Sequence, residues 1–237
     1  MRRSTGVAAA VAGAVLADRV YATVVRPWHL DWGASEDEVR RFMPGDEQVA
    51  DPVTVSTRAV TVDADPGAVW PWLAQLGDGR GGLYSYDFLD RLFGYLRAPS
   101  ATEVLPQWQA IHAGDVVPLG RGPSWPVTMV DPERFLVLTP VDEPRFAVTW
   151  AFGLYPVDRY TTRLVTRVRV RYPVTPLGYL PAQAWDLAAF VMTRRMLLNL
   201  KQRAEHLSHQ RVLTGEVPGI VVPPRPSRRR MPVGVEQ

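Results

Sequence analysis

The chain has 237 residues, of which 46% are hydrophobic and 22% charged, a balance that suits a globular domain with a real core. It contains no cysteine, which excludes disulfides, thiolate metal sites and a cysteine nucleophile. The net charge is +3, and Arg225 and Arg228 to Arg230 near the C-terminus hold much of the basic excess, so no nucleic-acid partner is expected.

At the N-terminus, Arg2 and Arg3 precede an Ala/Val run from Val7 to Ala17. Three readings fit residues 1–25. They are a membrane anchor or surface contact, a signal segment with Val15-Leu16-Ala17 at its cleavage site, and an Ala-rich helix docked on the domain. A span needs about 20 apolar residues, and Asp18 and Arg19 interrupt this one. Residues 26–50 read as a linker with a short helix, because Ser35 and Glu38 have capping-box spacing and Pro44-Gly45-Asp46 is a turn.

Thr54 to Val62 is rich in β-branched residues and reads as the first strand. Asp65 and Pro66 then suit the N-cap and first position of a helix carrying Val69, Trp70, Leu73 and Leu76. The loop Gly77 to Gly82 leads to a second short helix, near Ser85 to Phe93. Short strands are expected near Asp115–Leu119, Val127–Val130 and Phe135–Thr139. Two longer ones follow, Phe146–Tyr155 and Thr161–Tyr172, joined by the turn Pro156 to Arg159. In the last strand Arg163, Arg167, Arg169 and Arg171 share one face, which reads as solvated. A long helix from about Ala182 to Ser208 places Trp185, Ala189, Met192, Met196, Leu200, Ala204 and Leu207 on one side. Residues 210–237 are Pro- and Arg-rich and read as a disordered tail.

The fold class is therefore α+β, a curved antiparallel sheet wrapped around a long C-terminal helix, with two short helices after the first strand. An antiparallel sheet needs its apolar face covered, and only the long helix has the length to do it.

Three stretches resemble the SRPBCC superfamily of START-like, birch-pollen-allergen-like and polyketide-cyclase-like proteins. Val60 to Trp70 is similar to that family's first strand running into A-x-P-x-x-V-W. Thr149-Trp150-Ala151-Phe152 with Thr162 to Val165 looks like its late hairpin. Phe190 to Glu205 looks like its final helix. The leader Arg26 to Glu47 is similar to that of a bacterial branch. The resemblance covers about Trp28 to Leu207, makes residues 51–209 the domain, and implies a helix-grip fold. It does not fix an activity, because fold and function part company in such superfolds.

The glycines of Gly77-x-Gly79-x-x-Gly82 match a dinucleotide fingerprint by letter, but they follow a helix where the fingerprint needs a strand. They read instead as a flexible loop bordering a cavity entrance. The cavity wall is expected from Leu76, Arg80, Tyr84, Tyr86, Asp87, Trp108, His112, Trp125, Trp150, Phe152, Trp185, Met192 and Met196, an aromatic set able to hold a planar or lipid-like molecule. Arg80 is the candidate contact for an anionic head group. His206 and His209 beside Glu205 lack a third metal ligand, and Ser124 is not in a nucleophile elbow, so no metal, cofactor or catalytic residue is assigned.

The leading expectation is a cytoplasmic protein, membrane-associated or not, that binds or carries a hydrophobic small molecule without catalysis. The alternatives are a cyclase-like enzyme using Arg80, Tyr84, Asp87 or His112, and a membrane-tethered regulatory module. Oligomeric state is not legible.

Overall fold

The computed structural model describes residues 13, 16–143, 145–175 and 179–215. Helical residues 16–20 run through a π turn at Tyr21–Val25 into α1 (Arg26–Leu30). Then come α2 (Glu36–Arg40), β1 (Thr54–Val62), α3 (Pro66–Ala74) and α4 (Asp87–Leu92). The strands β2 (Val116–Val117), β3 (Trp125–Asp131), β4 (Phe135–Asp142), β5 (Ala147–Pro156) and β6 (Thr162–Arg171) follow, and α5 (Tyr179–Thr214) closes the chain. The residues beyond 215 and most of those before 16, where the anchor-or-signal and tail readings fall, lie outside the described residues.

Local sequence sets several of these boundaries. The Ser35 hydroxyl accepts from the Glu38 N–H at 3.2 Å while the Glu38 carboxylate accepts from the Ser35 N–H at 2.8 Å, a complete capping box at the start of α2. Asp65 Oδ1 accepts from the Ala68 N–H at 3.2 Å and Pro66 opens α3, as their spacing predicts.

The six strands form one antiparallel sheet in the order β1-β6-β5-β4-β3-β2. The first strand closes against the last, and the others meander away from it. Their inner face packs on α3 and α5. Val60, Val62, Leu136, Leu138, Phe152, Leu154 and Leu164 meet Val69 and Leu73 of α3 and Leu197, Leu200 and Ala204 of α5 there. This is the helix-grip arrangement that the resemblance implies.

The outer face is not solvated, contrary to the sequence reading. Residues 33–50 lie across it, and a second small core forms there from Met43, Ala59, Val137, Ala151 and Val165. The arginine row of β6 is what the segment binds. Arg163 donates to both Glu38 oxygens at 2.7–2.8 Å, and Arg169 donates to the Val49 and Ala50 carbonyls. Arg167, with 3% of its side chain exposed, donates to Asp46, Arg41, Glu38, Val39 and Thr57. Alternation along β6 shows two faces. It cannot show that a segment more than a hundred residues earlier returns to cover one of them.

The first turns of α5 also depart from expectation. Phe190 is buried there, against Trp28, His29 and Trp32, while Trp185 is 67% exposed. The leader packs on this part of the helix through Phe190, which continues the buried positions Thr193, Leu197, Leu200 and Ala204 at spacings of three and four, and Trp185 lies off that face.

Candidate functional site

The thirteen predicted site residues separate into four places. Leu76, Trp125, Trp150, Phe152 and Met196 lie in or against the main core, and none of them lines the groove between Ser85–Phe88 and α5. Trp125 meets Trp150 edge-on at 5.0 Å, and Trp150 tilts against Phe152 at 4.9 Å. Trp150 Nε1 donates to Thr166 Oγ1 at 2.8 Å, so its polar edge is satisfied by the sheet. Met192 is half-buried one helical turn before Met196.

Arg80 and Trp108 form a pair. The guanidinium lies 4.8 Å from the indole centroid and donates to the Ala74 carbonyl at 2.7 Å. Burial pushes the Arg80 guanidinium below its usual value, with Asp115 opposing. Its role here is to tie the loop to α3.

His112 and Trp185 are exposed and stand apart from the rest. His112 lies 3.8 Å from Asp115 with most of its side chain in solvent, so it lacks the enclosed setting a general base needs.

The loop Gly77 to Gly82 is pinned, not free. Gly77 and Gly82 bond to each other in both directions at 3.0 Å, and the Asp78 N–H donates to the Pro118 carbonyl at 2.7 Å. The buried Asp78 carboxylate accepts from the Arg97 backbone at 2.8 Å and from its guanidinium at 2.6 Å. Burial alone would raise the Asp78 pKa, but these bonds more than offset it and hold it below the usual range. The glycines serve geometry: Gly82 has φ +87°, and a Cβ there would sit 2.5 Å from Ser100 Oγ.

Tyr84, Tyr86 and Asp87 lead to the open volume. It is a groove of about 720 Å³ between the segment Ser85 to Phe88 and one face of α5. Trp72 and Thr102 line it from the protein body, and Arg195, Asn199, Gln202, Arg203 and His206 line it from the helix. Sequence reading missed this face of α5. The signal was present, since Arg195, Asn199, Gln202, Arg203 and His206 recur at spacings of three and four. Such a polar stripe reads by default as solvent-facing.

Hydrogen bonds build the groove's rim. Asn199 Nδ2 donates to the Tyr84 carbonyl at 2.7 Å, joining α5 to the residue before the rim. Asp87 accepts from the Ser100 N–H at 3.0 Å and its hydroxyl at 2.6 Å. Ser85 donates to the buried Asp90, whose pKa burial raises, with Asp87 adding and the Ser85 bond opposing. Tyr84 is buried with φ +55°, an unfavourable conformation for a bulky side chain. Its N–H donates to Ser100 Oγ at 3.0 Å, and its hydroxyl accepts from Gln75 at 2.9 Å. Those bonds hold the strained turn that aims Tyr86 and Phe88 at the groove.

The groove sets two arginines against one carboxylate, Asp87, which accepts from Ser100. The Arg203 guanidinium lies 5.0 Å from the Tyr84 ring and 6.0 Å from that of Trp72, and donates to the Ala101 carbonyl. Arg195 sits 5.6 Å from the Tyr86 ring. Neither has a carboxylate within ion-pair distance among the described residues. Trp72 is buried, and its indole N–H has no acceptor among the described residues.

No family model matches the chain, and no curated protein matches it. Among solved structures, a Thermobifida fusca protein is similar at 16% identity, over 65% of this chain and 94% of that one, with a TM-score of 0.41. The ZhuI aromatase/cyclase of Streptomyces sp. R1128 is similar at 18% identity over 67% and 95%, with a TM-score of 0.36. The Aha1 dimer of Colwellia psychrerythraea is similar at 14% over 63% and 98%, also with 0.36. At these scores the likenesses say nothing of activity. The helix-grip arrangement rests on the strand order and the position of α5.

The groove can hold a molecule with an apolar body and an acceptor-rich end. Tyr86, Phe88 and Trp72 offer aromatic surface, and Arg195 and Arg203 offer donors. Among the described residues no group of three His, Asp or Glu side chains is placed to hold a metal ion.

Proposed function

We propose that the protein binds an amphipathic small molecule, apolar in its body and anionic at one end, in the groove between Ser85–Phe88 and α5. One observation carries this reading. Arg195 and Arg203 line one aromatic-walled groove with no carboxylate within ion-pair distance among the described residues, and Arg203 meets only the Ala101 and Asn199 carbonyls. The ligand class is narrower than the hydrophobic molecule expected from sequence, and the place is different. It is the outer side of α5 and not the sheet–helix interior.

Titration with the fluorescent fatty acid dansyl-undecanoic acid and with its methyl ester tests the reading. The acid should bind saturably and more tightly than the ester. Arg195→Gln and Arg203→Gln should each weaken the acid by about tenfold, as the loss of roughly 1.4 kcal/mol would, and leave the ester nearly unchanged. Equal affinity for acid and ester, unaltered in both variants, would remove the groove from consideration.

A second reading is a proton-transfer enzyme of the cyclase type. Ser85, Asp87, Arg203 and His206 place a hydroxyl, a carboxylate, a guanidinium and an imidazole around one volume; the carboxylate and imidazole would move protons onto and off a folded polyketone while the guanidinium stabilised the enolate oxygen. Cyclisation of a poly-β-ketone thioester, lost in His206→Ala and in Asp87→Asn, would support it. Failure of the wild-type protein to turn over any such thioester would dismiss it.

A further inference from the structure

The helix that enters the domain is amphipathic in an inverted sense. Residues 16–30 dock on the body through Tyr21, Arg26 and His29. The Tyr21 hydroxyl reaches the Gln183 carbonyl at 3.5 Å, Arg26 pairs with Asp186 at 2.9 Å, and His29 is buried against Phe190. The opposite face carries Leu16, Ala17, Val20, Val24 and Pro27, all exposed, with Trp28 at its edge, partly exposed and in ring contact with Phe190. By helical spacing Asp18 and Arg19 fall to its sides, so this face holds no charge.

The π turn keeps the face straight. Apolar residues four apart drift around an α-helix, because four residues exceed the 3.6 of one turn. An i→i+5 turn holds more residues and rotates less per residue, so the turn at Tyr21–Val25 cancels much of that drift between Val20 and Trp28.

The adjoining start of α5 repeats the pattern. Gln183, Asp186 and Phe190 face the leader helix, while Trp185, Leu187, Ala188 and Val191 are exposed. Each helix of the pair thus exposes apolar residues away from the contact between them.

We infer that the outward face of the leader helix docks on a lipid bilayer, lying in its interfacial plane. The chain upstream of Leu16 selects that occupant. Gly6 to Val15 contains no charged or polar side chain, and Arg2 and Arg3 precede it. The outward apolar face is therefore continuous in sequence with an apolar run ending in two cations, the order expected where a chain meets an anionic membrane surface. Trp28 and Trp185 have the amphipathic rings that favour the headgroup level. Among the described residues no helix is long and apolar enough to cross a membrane, and an interfacial attachment needs none.

Flotation of the full chain with vesicles tests the inference. Phosphatidylcholine vesicles containing phosphatidylglycerol should carry the protein upward, and tryptophan emission should shift to the blue. The triple substitution Leu16→Gln, Val20→Gln and Val24→Gln touches only exposed positions. It should lower the floated fraction by about tenfold or more while dansyl-undecanoic acid binding and the circular dichroism spectrum stay unchanged. A wild-type protein that stays with the buffer, or a triple variant that floats equally, overturns the inference. So does a concentration-dependent dimer abolished by the triple substitution in a protein that does not float, since the face would then belong to a second copy. Loss of flotation in Arg203→Gln but not in the triple variant would place the lipid contact in the groove and equally overturn it.

Discussion

Replacing Arg167 with Met tests whether the leader is held by the arginine row. The guanidinium has five N–H donors, and the structure shows five hydrogen bonds from it, at 2.6–3.0 Å. One goes to Asp46, 8% exposed, whose Oδ2 also accepts from the Met43 N–H at 2.9 Å. Met fills the space of the stem and removes every donor. Breaking a buried ion pair from one side costs about 3–5 kcal/mol, because the partner charge is left buried. Arg169 lies 3.7 Å from the other Asp46 oxygen and offers partial compensation, which favours the lower end. The carbonyls of Glu38, Val39 and Arg41 also lose their donor. Freed of it, the segment should lift off the sheet and hydrate them. Against a total stability of roughly 5–15 kcal/mol, a loss near 3 is a large share. Guanidinium denaturation followed by tryptophan fluorescence measures it, and limited proteolysis should show new cleavage within residues 33–50. Adding Asp46→Asn should restore about 1–3 kcal/mol, since the unpaired charge is gone while the oxygen that accepts from Met43 stays. A loss below about 1 kcal/mol, the scale of a surface ion pair, with the leader still protected, would refute the reasoning.

Other substitutions probe the remaining layers. Gly82→Ala should destabilise the protein by about 1–3 kcal/mol or more, from the left-handed φ and the clash with Ser100, read as a lower denaturation midpoint. Phe152→Ala removes a fully buried ring where sheet and helices meet, and should cost about 3–5 kcal/mol in the same assay. His29 gives a pH signature. Burial, then the nearby Arg58 charge, lower its pKa below 6.5, with Asp186 opposing and Arg26 adding to the effect, and the Tyr21 hydroxyl lies 3.2 Å from Nε2. The folded state therefore binds its proton less readily than the unfolded chain. Stability from this group is fully present above about pH 6.5 and is lost as pH falls toward the folded value, by about 1.4 kcal/mol per unit of pKa difference. Thermal melts from neutral pH to pH 5 should show the loss, and His29→Gln should flatten it. Arg58 beside it, 2% exposed, is itself pushed down to about 10 by burial, with Asp186 and Asp31 opposing, yet stays charged throughout that range.

Elements whose signals are local were legible in the chain. The first strand runs Thr54–Val62 as its β-branched composition indicates, and Ser35, Glu38, Asp65 and Pro66 start helices where their capping chemistry places them. The long C-terminal helix and the antiparallel run before it were enough for the helix-grip arrangement, because only that helix could cover the sheet. These features depend on backbone preferences and periodicity within a few turns of each residue.

What needed the tertiary structure were the places where distant segments meet. Alternation along β6 marks Arg163, Arg167 and Arg169 as one face, but only the return of residues 33–50 makes that face an interior. The glycines from Gly77 to Gly82 signal unusual backbone, while their contacts with Pro118 and Ser100 decide that the loop is a fixed joint. The aromatic residues Trp125, Trp150 and Phe152 were legible as apolar surface. Only the approach of α5 to the sheet decides how they pack, and they lie in or against the main core. A groove lies on another face of that helix, where Arg195 and Arg203 meet Tyr86 and Phe88 across about a hundred residues of chain. A sequence carries the side-chain chemistry of such a groove, but its shape is a property of packing.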